Sequence, residues 1–341
     1  MIKRIFSLLI VIPSFITISE VVLVAQPFYE GKVVRVIVGY SPGGGFDVNA
    51  RMISRHLGKH IPGHPTVMVE NMPGAGGLIS ANHLYKVAKP DGLTFTHFNG
   101  GLFFNQLFGQ PGVEFDTRKF EFVGAPMKEY SVVALTKASG ITSIEKWMAS
   151  KTPVKLGGLA PGNFIDNNIK ILKAALGLPI QLVSGYKGTG DIRLAAESGE
   201  IAGGTWAWNT LKVIWRSALE TGDAVAVLQE IPQPLPDLPN VPLAISLAKT
   251  EEARQLIEIG IHSPSIFNRP FVLPPGTPKD RVQILRKAFL ETMKDKEFLA
   301  ENEKSKLEMD PVSGEDLERV VNGIFKSDPA LLAKLKDIFF K

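Results

Sequence analysis

The run Val33-Val34-Arg35-Val36-Ile37-Val38-Gly39-Tyr40-Ser41-Pro42-Gly43-Gly44-Gly45 joins a β-branched segment to a triple glycine. Thr66-Val67-Met68-Val69, followed by Pro73-Gly74-Ala75-Gly76-Gly77, repeats the design. Each glycine loop leads into a segment of helical character. Residues without side chains at a strand end let bare backbone N–H groups approach a guest, and the next helix adds its positive N-terminal end. The guest implied by both loops is an anion.

Working outward, strands at about 33–40, 66–71 and 93–98 alternate with helices at about 47–60 and 78–88, the βαβαβ pattern of a parallel sheet. In such a sheet ligands lie outside the carboxyl ends of the strands, where both glycine loops sit. A second series follows, with strands at 131–136, 154–158, 180–183 and 201–205 and helices near 142–149, 163–176, 189–198 and 208–220. Gly157-Gly158-Leu159-Ala160-Pro161-Gly162-Asn163 and Gly185-Tyr186-Lys187-Gly188-Thr189-Gly190 again separate strand from helix. The proline-rich run 231–239 continues neither a strand nor a helix and reads as a connector. Beyond it come an extended Phe271-Val272-Leu273 and a helix at about 279–294. The expectation is an α/β chain of two lobes closing like a clamshell, with lobe 1 from 26–130 and 236–341, lobe 2 from 131–235, and hinges near 128–133 and 228–238.

The chain has 341 residues, 45% hydrophobic and 21% charged, enough for a substantial core. Its net charge of +4 is dispersed, without the basic cluster that nucleic acid binding requires. Lys3 and Arg4 precede an apolar stretch that Pro13 interrupts, and small or apolar residues continue to Ala25. This predicts a signal peptide over residues 1–25, cleaved near Ala25, and export to the periplasm. Pro13, Ser14, Thr17, Ser19 and Glu20 break the uninterrupted apolar span that a membrane anchor needs. With no cysteine there is no disulfide, thiolate metal site or lipidated N-terminal cysteine.

Catalytic motifs are weaker than they look. Gly39-Tyr40-Ser41-Pro42-Gly43 matches the GxSxG nucleophile elbow, but Pro42 has no N–H to offer an oxyanion hole. His56, His60 and His64 are spaced by four, yet Gly58 and Pro62-Gly63 interrupt a helix there, which favours an exposed polar face over zinc. Neither a phosphate loop nor a dinucleotide GxGxxG is present, so no cofactor and no resident metal are expected.

Five blocks occur together and in order: VVRVIVGYSPGGGFDVNAR, VMVENMPGAGGLISANHLYKVAKPDG, SGYKGTGDIRLAAESGEI, LPDLPNVPLA and PPGTPKDRV. They resemble the periplasmic solute receptors of tripartite tricarboxylate transporters, the Bug-type receptors, from residue 33 to about 285. The resemblance implies a two-lobed type II periplasmic binding fold, no catalysis, and capture of a small carboxylated organic acid for delivery to a membrane permease. By similarity, backbone amides of the first lobe hold the carboxylate at Gly43, Gly44, Gly45, Phe46 and Asp47, together with Pro73, Gly74, Ala75, Gly76 and Gly77. The second lobe contributes Ala160, Gly162, Asn163, Tyr186, Lys187, Gly188 and Thr189. A monomer follows by analogy.

Two departures from the family pattern bear on the ligand. Phe46 stands where the family often has Thr, and Thr205-Trp206-Ala207-Trp208-Asn209 replaces a common Asp-Asn. Phe46, Trp206 and Trp208 are expected to admit an aromatic or apolar body, the alternative being that Trp206 or Trp208 packs in the core. Asp47 either caps helix N–H groups or orients a ligand. Lys187 is either a ligand partner or a solvated charge. No fixed cation is required, because amides and helix N-termini suffice for a carboxylate. The alternatives to transport are a receptor docking on a sensor kinase and an exported serine esterase using Ser41.

Overall fold

The computed structural model describes residues 26–340 except 44, 160–161, 187 and 306–308. The expected signal peptide, Gly44, Ala160 and Lys187 lie outside the described residues. Among the described residues eleven strands form two sheets. The strands are β1 Val33–Val38, β2 Thr66–Asn71, β3 Thr94–His97, β4 Glu121–Ala125, β5 Ser131–Thr136, β6 Val154–Gly157, β7 Ile180–Val183, β8 Gly203–Ala207, β9 Ala224–Gln229, β10 Phe271–Leu273 and β11 Val312–Ser313. The first sheet has the order β11-β4-β10-β3-β1-β2, the second β7-β6-β8-β5-β9.

At the centre of the first sheet β1 runs parallel to β2 and β3, placing Val36 opposite Val69 and Phe95. β1 buries Val34, Val36, Ile37 and Val38, the near-continuous apolar run of a strand covered on both faces. Helices Gly45–Leu57 and Leu78–Lys86 follow β1 and β2, as expected. In the second sheet β6 is parallel to β7 and β8, and β5 is antiparallel to β8 and β9. β4 and β9 were not anticipated. β4 reads Glu-Phe-Val-Gly-Ala and β9 reads Ala-Val-Ala-Val-Leu-Gln, sequences whose Gly, Ala and Glu content dilutes the β signal.

The segment 236–341 divides between the sheets. β10 and β11 join the first sheet. Helices Glu251–Ile257 and Pro329–Phe340 pack instead on Phe164–Leu176, which flanks the second sheet. Gly260 permits this, since a Cβ there would lie 2.3 Å from Ile171 Cδ1 and 3.0 Å from Leu335 Cδ2. One apolar cluster consequently runs from Phe98, Phe103 and Phe122 through Phe267 and Phe339 to Ile165 and Leu172, so the two sheets share a floor.

The chain leaves the first sheet at 126–130 and returns at 268–270, immediately before β10. The return is later than the expected 228–238. Gln229 forms a parallel bridge with Leu243, and its side-chain amide donates to Leu238 O and Val241 O, holding the proline-rich connector beside the second sheet. Among the described residues no helix is long and apolar enough to cross a membrane.

Candidate functional site

The triple-glycine loop is shaped by Asp47 in the first turn of Gly45–Leu57. The Asp47 carboxylate is 2% exposed. It accepts hydrogen bonds from Gly43 N–H at 2.8 Å, Arg51 Nε at 2.9 Å and Asn71 Nδ2 at 2.8 Å. Burial raises its pKa, but these donors outweigh burial and bring it down to about 2. The observed arrangement is neither helix capping nor ligand orientation: the donors are a loop amide ahead of the helix and two side chains, so the carboxylate clamps the loop. Gly43 and Gly45 are exposed.

The neighbouring loop is built from left-handed backbone. Gly74, Ala75, Gly76 and Gly77 have φ values of 139°, 45°, 64° and 95°. Only Ala75 carries a Cβ there, a strain of about 1 kcal/mol or more. At Gly77 a Cβ would also approach Phe98 Cβ to 3.3 Å. Tyr40 fastens this loop to the first by donating its hydroxyl to Gly76 O at 3.0 Å. Ser80 Oγ donates to Gly77 O at 2.8 Å.

The second sheet presents a matching edge. Asn163 caps Phe164–Leu176, its Oδ1 accepting from Ile165 N–H at 3.0 Å. Asp166 is fully buried and accepts from Leu159 N–H at 2.6 Å and from the Ser184 hydroxyl.

The two edges meet across a cavity of about 380 Å³. Tyr40, Ala75 and Gly76 line it from the first side, and Gly162 and Asn163 from the second. Asn99, Asn105, Gln110, Leu102 and Phe340 complete much of the wall, with no charged side chain among the lining residues. The lining thus combines backbone and side-chain amide groups with the apolar surface of Leu102 and Phe340, the composition of a small-molecule site. The sequence reading missed Asn99, Asn105, Gln110 and Phe340. Phe340 arrives from the last helix and stands 3.7 Å from the position of a Cβ on Gly162. The pair Phe339-Phe340 closing an apolar helix was the available signal.

Other expected residues lie elsewhere. Trp206 is fully buried, donates Nε1–H to Thr189 O at 3.2 Å and packs on Trp215 at 5.2 Å. Trp208 is 7% exposed and donates to Asp237 Oδ2 at 3.0 Å. These are core tryptophans, so Trp206 is withdrawn from the ligand set. The Phe46 ring is already occupied. It stacks on Tyr40 at 4.5 Å and carries the Arg269 guanidinium 4.6 Å from its centroid. Tyr186 donates its hydroxyl to Glu200 Oε1 at 2.7 Å, and neither it nor Gly188 nor Thr189 is among the residues lining the cavity.

His56 is half-buried, with Nε2 2.7 Å from Glu301, and His60 Nε2 lies 3.2 Å from Asp295. This differs from the exposed face expected for these histidines. Lys59 Nζ sits between Asp295 at 2.9 Å and Glu297 at 2.6 Å. The ammonium occupies the place a cation would take, and the group reads as an ion-pair network joining helices Gly45–Leu57 and Lys296–Ser305.

A polar knot lies where the two chain crossings run side by side. Glu129 accepts from Asn268 Nδ2 and from Arg269 Nη2, the latter at 3.3 Å. Behind it Glu230 is fully buried, accepting from Asn168 Nδ2 at 3.0 Å and Thr205 Oγ1 at 3.1 Å. Burial pushes the Glu230 carboxyl up to about 7. None of these residues was anticipated as part of a site.

Comparison with known families now decides the class. Residues 49–336 match the family described as the tripartite tricarboxylate transporter family receptor. The chain belongs to this family. Its members are periplasmic solute-binding receptors rather than a class of enzymes, and the two-sheet architecture agrees with theirs. A TctC solute-binding protein from Polaromonas shares the fold at a TM-score of 0.69 and 17% identity, covering 91% of this chain and 98% of that one. An R. palustris protein solved with adipate gives 0.64 and 20% over 90% and 98%. A Rhodopseudomonas palustris protein with bound malate gives 0.60 and 19% over 91% and 99%. Matches to curated relatives are partial, spanning 19% of one relative's length and 50% of another's.

Proposed function

We propose that the protein is an exported, non-catalytic receptor that captures a small carboxylated organic acid between its two sheets and delivers it to the membrane permease of a tripartite transporter. The observation that carries this reading is the cavity of about 380 Å³ lined jointly by Tyr40, Ala75 and Gly76 on one side and Gly162 and Asn163 on the other. The carboxylate is received by backbone amides of 45–47 and 74–76, beside the positive end of Gly45–Leu57. Its carbon body extends toward Leu102 and Phe340, and the amides of Asn99, Asn105, Gln110 and Asn163 select among substituents. The adipate and malate bound by two proteins of the same fold support an organic acid as the guest.

Closure brings Gly162 and Asn163 down onto the loaded first loop, with bending at 126–130 and 268–270. The test is a thermal-shift screen of mono-, di- and tricarboxylates and aromatic acids, followed by small-angle scattering with the acid that binds. A ligand at a hundred times its Kd adds about 2.7 kcal/mol of stability. The expected result is a shift confined to one class of acid together with a smaller radius of gyration on saturation. A screen in which no acid shifts the transition contradicts the reading, and an unchanged radius contradicts closure.

A further inference from the structure

We propose that Arg269 is the charged anchor of the ligand carboxylate, with Glu129 as the internal counter-ion that the ligand displaces. The inference rests on the receptor reading above and deepens it, replacing the expectation that amides alone hold the anion.

Arg269 lies on the return crossing, so its backbone is fixed by the two sheets rather than by a surface loop. Its guanidinium is laid against the first turn of Gly45–Leu57, since a Cβ on Gly45 would be 3.4 Å from Nη1 and 3.8 Å from Nη2. That turn also presents helix N–H groups that have no intrahelical acceptor. The Phe46 ring covers one face of the guanidinium. The side chain is 19% exposed. Of its five N–H donors, Nη2 makes one long contact with Glu129, while Nε and Nη1 are buried without a hydrogen-bond partner. A buried guanidinium is ordinarily paired at its donor fork, bidentately where a carboxylate is present. Glu129 does not provide such a fork here, because its other oxygen accepts from Asn268.

The remaining ionisable neighbours are engaged or neutral, and Arg269 itself is not among the residues lining the cavity at Tyr40 and Gly76, so an incoming carboxylate reaches it by displacing Glu129. Asp47 is consumed by Arg51, Asn71 and Gly43 N–H. His97 is fully buried beside Phe46, its Nδ1 engaged with Pro270 O at 3.0 Å, and burial lowers its pKa to about 3, so it is neutral. Tyr40 is neutral as well, its hydroxyl donating to Gly76 O. Glu129 is thus the anion that competes with an incoming carboxylate for Arg269.

A purely structural role, in which Arg269 and Glu129 bolt the two crossings together, makes a different prediction. Under that role, removing either partner lowers stability and neither removal improves binding. The anchor role gives opposite signs at the two ends of the pair.

The experiment titrates purified wild-type protein, Arg269→Met, Arg269→Lys and Glu129→Gln calorimetrically with acetate, succinate, malate, adipate and benzoate, and records the ligand-free melting temperature of each variant. The expected result is binding of at least one of these acids by wild type. Arg269→Met then weakens that acid by at least about 30-fold, the loss typical of truncating one partner of a buried charge pair. Arg269→Lys keeps part of the affinity, and Glu129→Gln tightens it. Wild-type binding with Arg269→Met within about threefold overturns the anchor while leaving the receptor reading intact. If Arg269→Met does not fold, Glu129→Gln decides: unchanged or weaker binding overturns the proposal. Failure of wild type to bind any of the five acids removes the carboxylate reading, and this inference with it.

Discussion

Helices Gly45–Leu57 and Phe164–Leu176 face each other across the cleft. Each has thirteen residues and follows a glycine-bearing loop, and each buries an aspartate at its third position. Asp47 draws in Gly43 N–H, and Asp166 draws in Leu159 N–H. The difference is in what neutralises them. Asp47 has the Arg51 guanidinium, 43% exposed to water, whereas Asp166 has only the uncharged Ser184 hydroxyl and a backbone amide in addition to its own helix end. The first edge is therefore a platform whose buried carboxylate is balanced by a fixed cation. The second is a buried knot that shapes a lid. The same sequence device thus yields a receiving surface on one lobe and a closing surface on the other.

The largest effect expected from breaking this comparison is at Asp166. Asp166→Ala empties a fully buried position and takes the acceptor from Leu159 N–H and the Ser184 hydroxyl, which should cost about 3 kcal/mol in denaturant unfolding. Asp47→Ala should cost about 2 kcal/mol, because Arg51 can turn to water. Equal costs would mean the two knots are equivalent after all.

Asn168, one turn along the second helix, leads to Glu230 and to the next prediction. The Glu230 carboxyl ionises near 7 in the folded protein and near its ordinary value of 4.5 in the unfolded chain. The unfolded state releases its proton first, so stability falls as pH rises from 4.5 to 7 and stays low above that. Glu230→Gln should gain about 2 kcal/mol at pH 8, gain nothing below pH 4.5, and flatten the slope between them. Thermal unfolding across pH measures this. A variant less stable than wild type at pH 8 would contradict it.

Asp47 titrates in the opposite sense. Its folded pKa is depressed, so its contribution is complete above about 3.8 and is lost as pH falls through about 2. The amount is about 1–2 kcal/mol after allowing for solvent around Arg51. Asp47→Asn should remove that acid dependence, and unchanged acid unfolding would show that the Arg51 pair contributes nothing. The smallest effect is at the second helix cap, where Asn163→Ala should cost about 1 kcal/mol and leave Asp47-dependent behaviour unchanged.

Both glycine loops of the first lobe and the parallel strands beneath them could be read from sequence, because β-branched runs ending in glycine announce their backbone conformation locally. Asn163 and Gly162 were named from the family resemblance, and the structure places both on the wall of the cavity. Trp206 was misread because a tryptophan at a strand end serves a core or a pocket equally well, and only the position of Trp215 separates the two. Phe340 was signalled only by the apolar pair Phe339-Phe340, and Glu129 and Arg269 carried no local signal. Phe340 reaches the cavity through tertiary packing, Glu129 and Arg269 meet only at the chain crossings, and no local spacing marks Arg269 as adjacent to Gly45, far earlier in the chain. The chain's return to the first sheet is seen at 268–270 rather than in the expected 228–238, because the side chain of Gln229 ties the proline-punctuated segment to the second sheet.

The central claim is that the two loop edges form one carboxylate site. The most direct measurement is a crystal structure of the protein with the acid that gives the largest thermal shift. The account predicts the carboxylate within hydrogen-bond distance of amides in both 45–47 and 74–76, with Gly162 and Asn163 closed over the carbon body. An acid found in a different cavity, or one that touches only one edge in a crystal of the fully saturated protein, would contradict it.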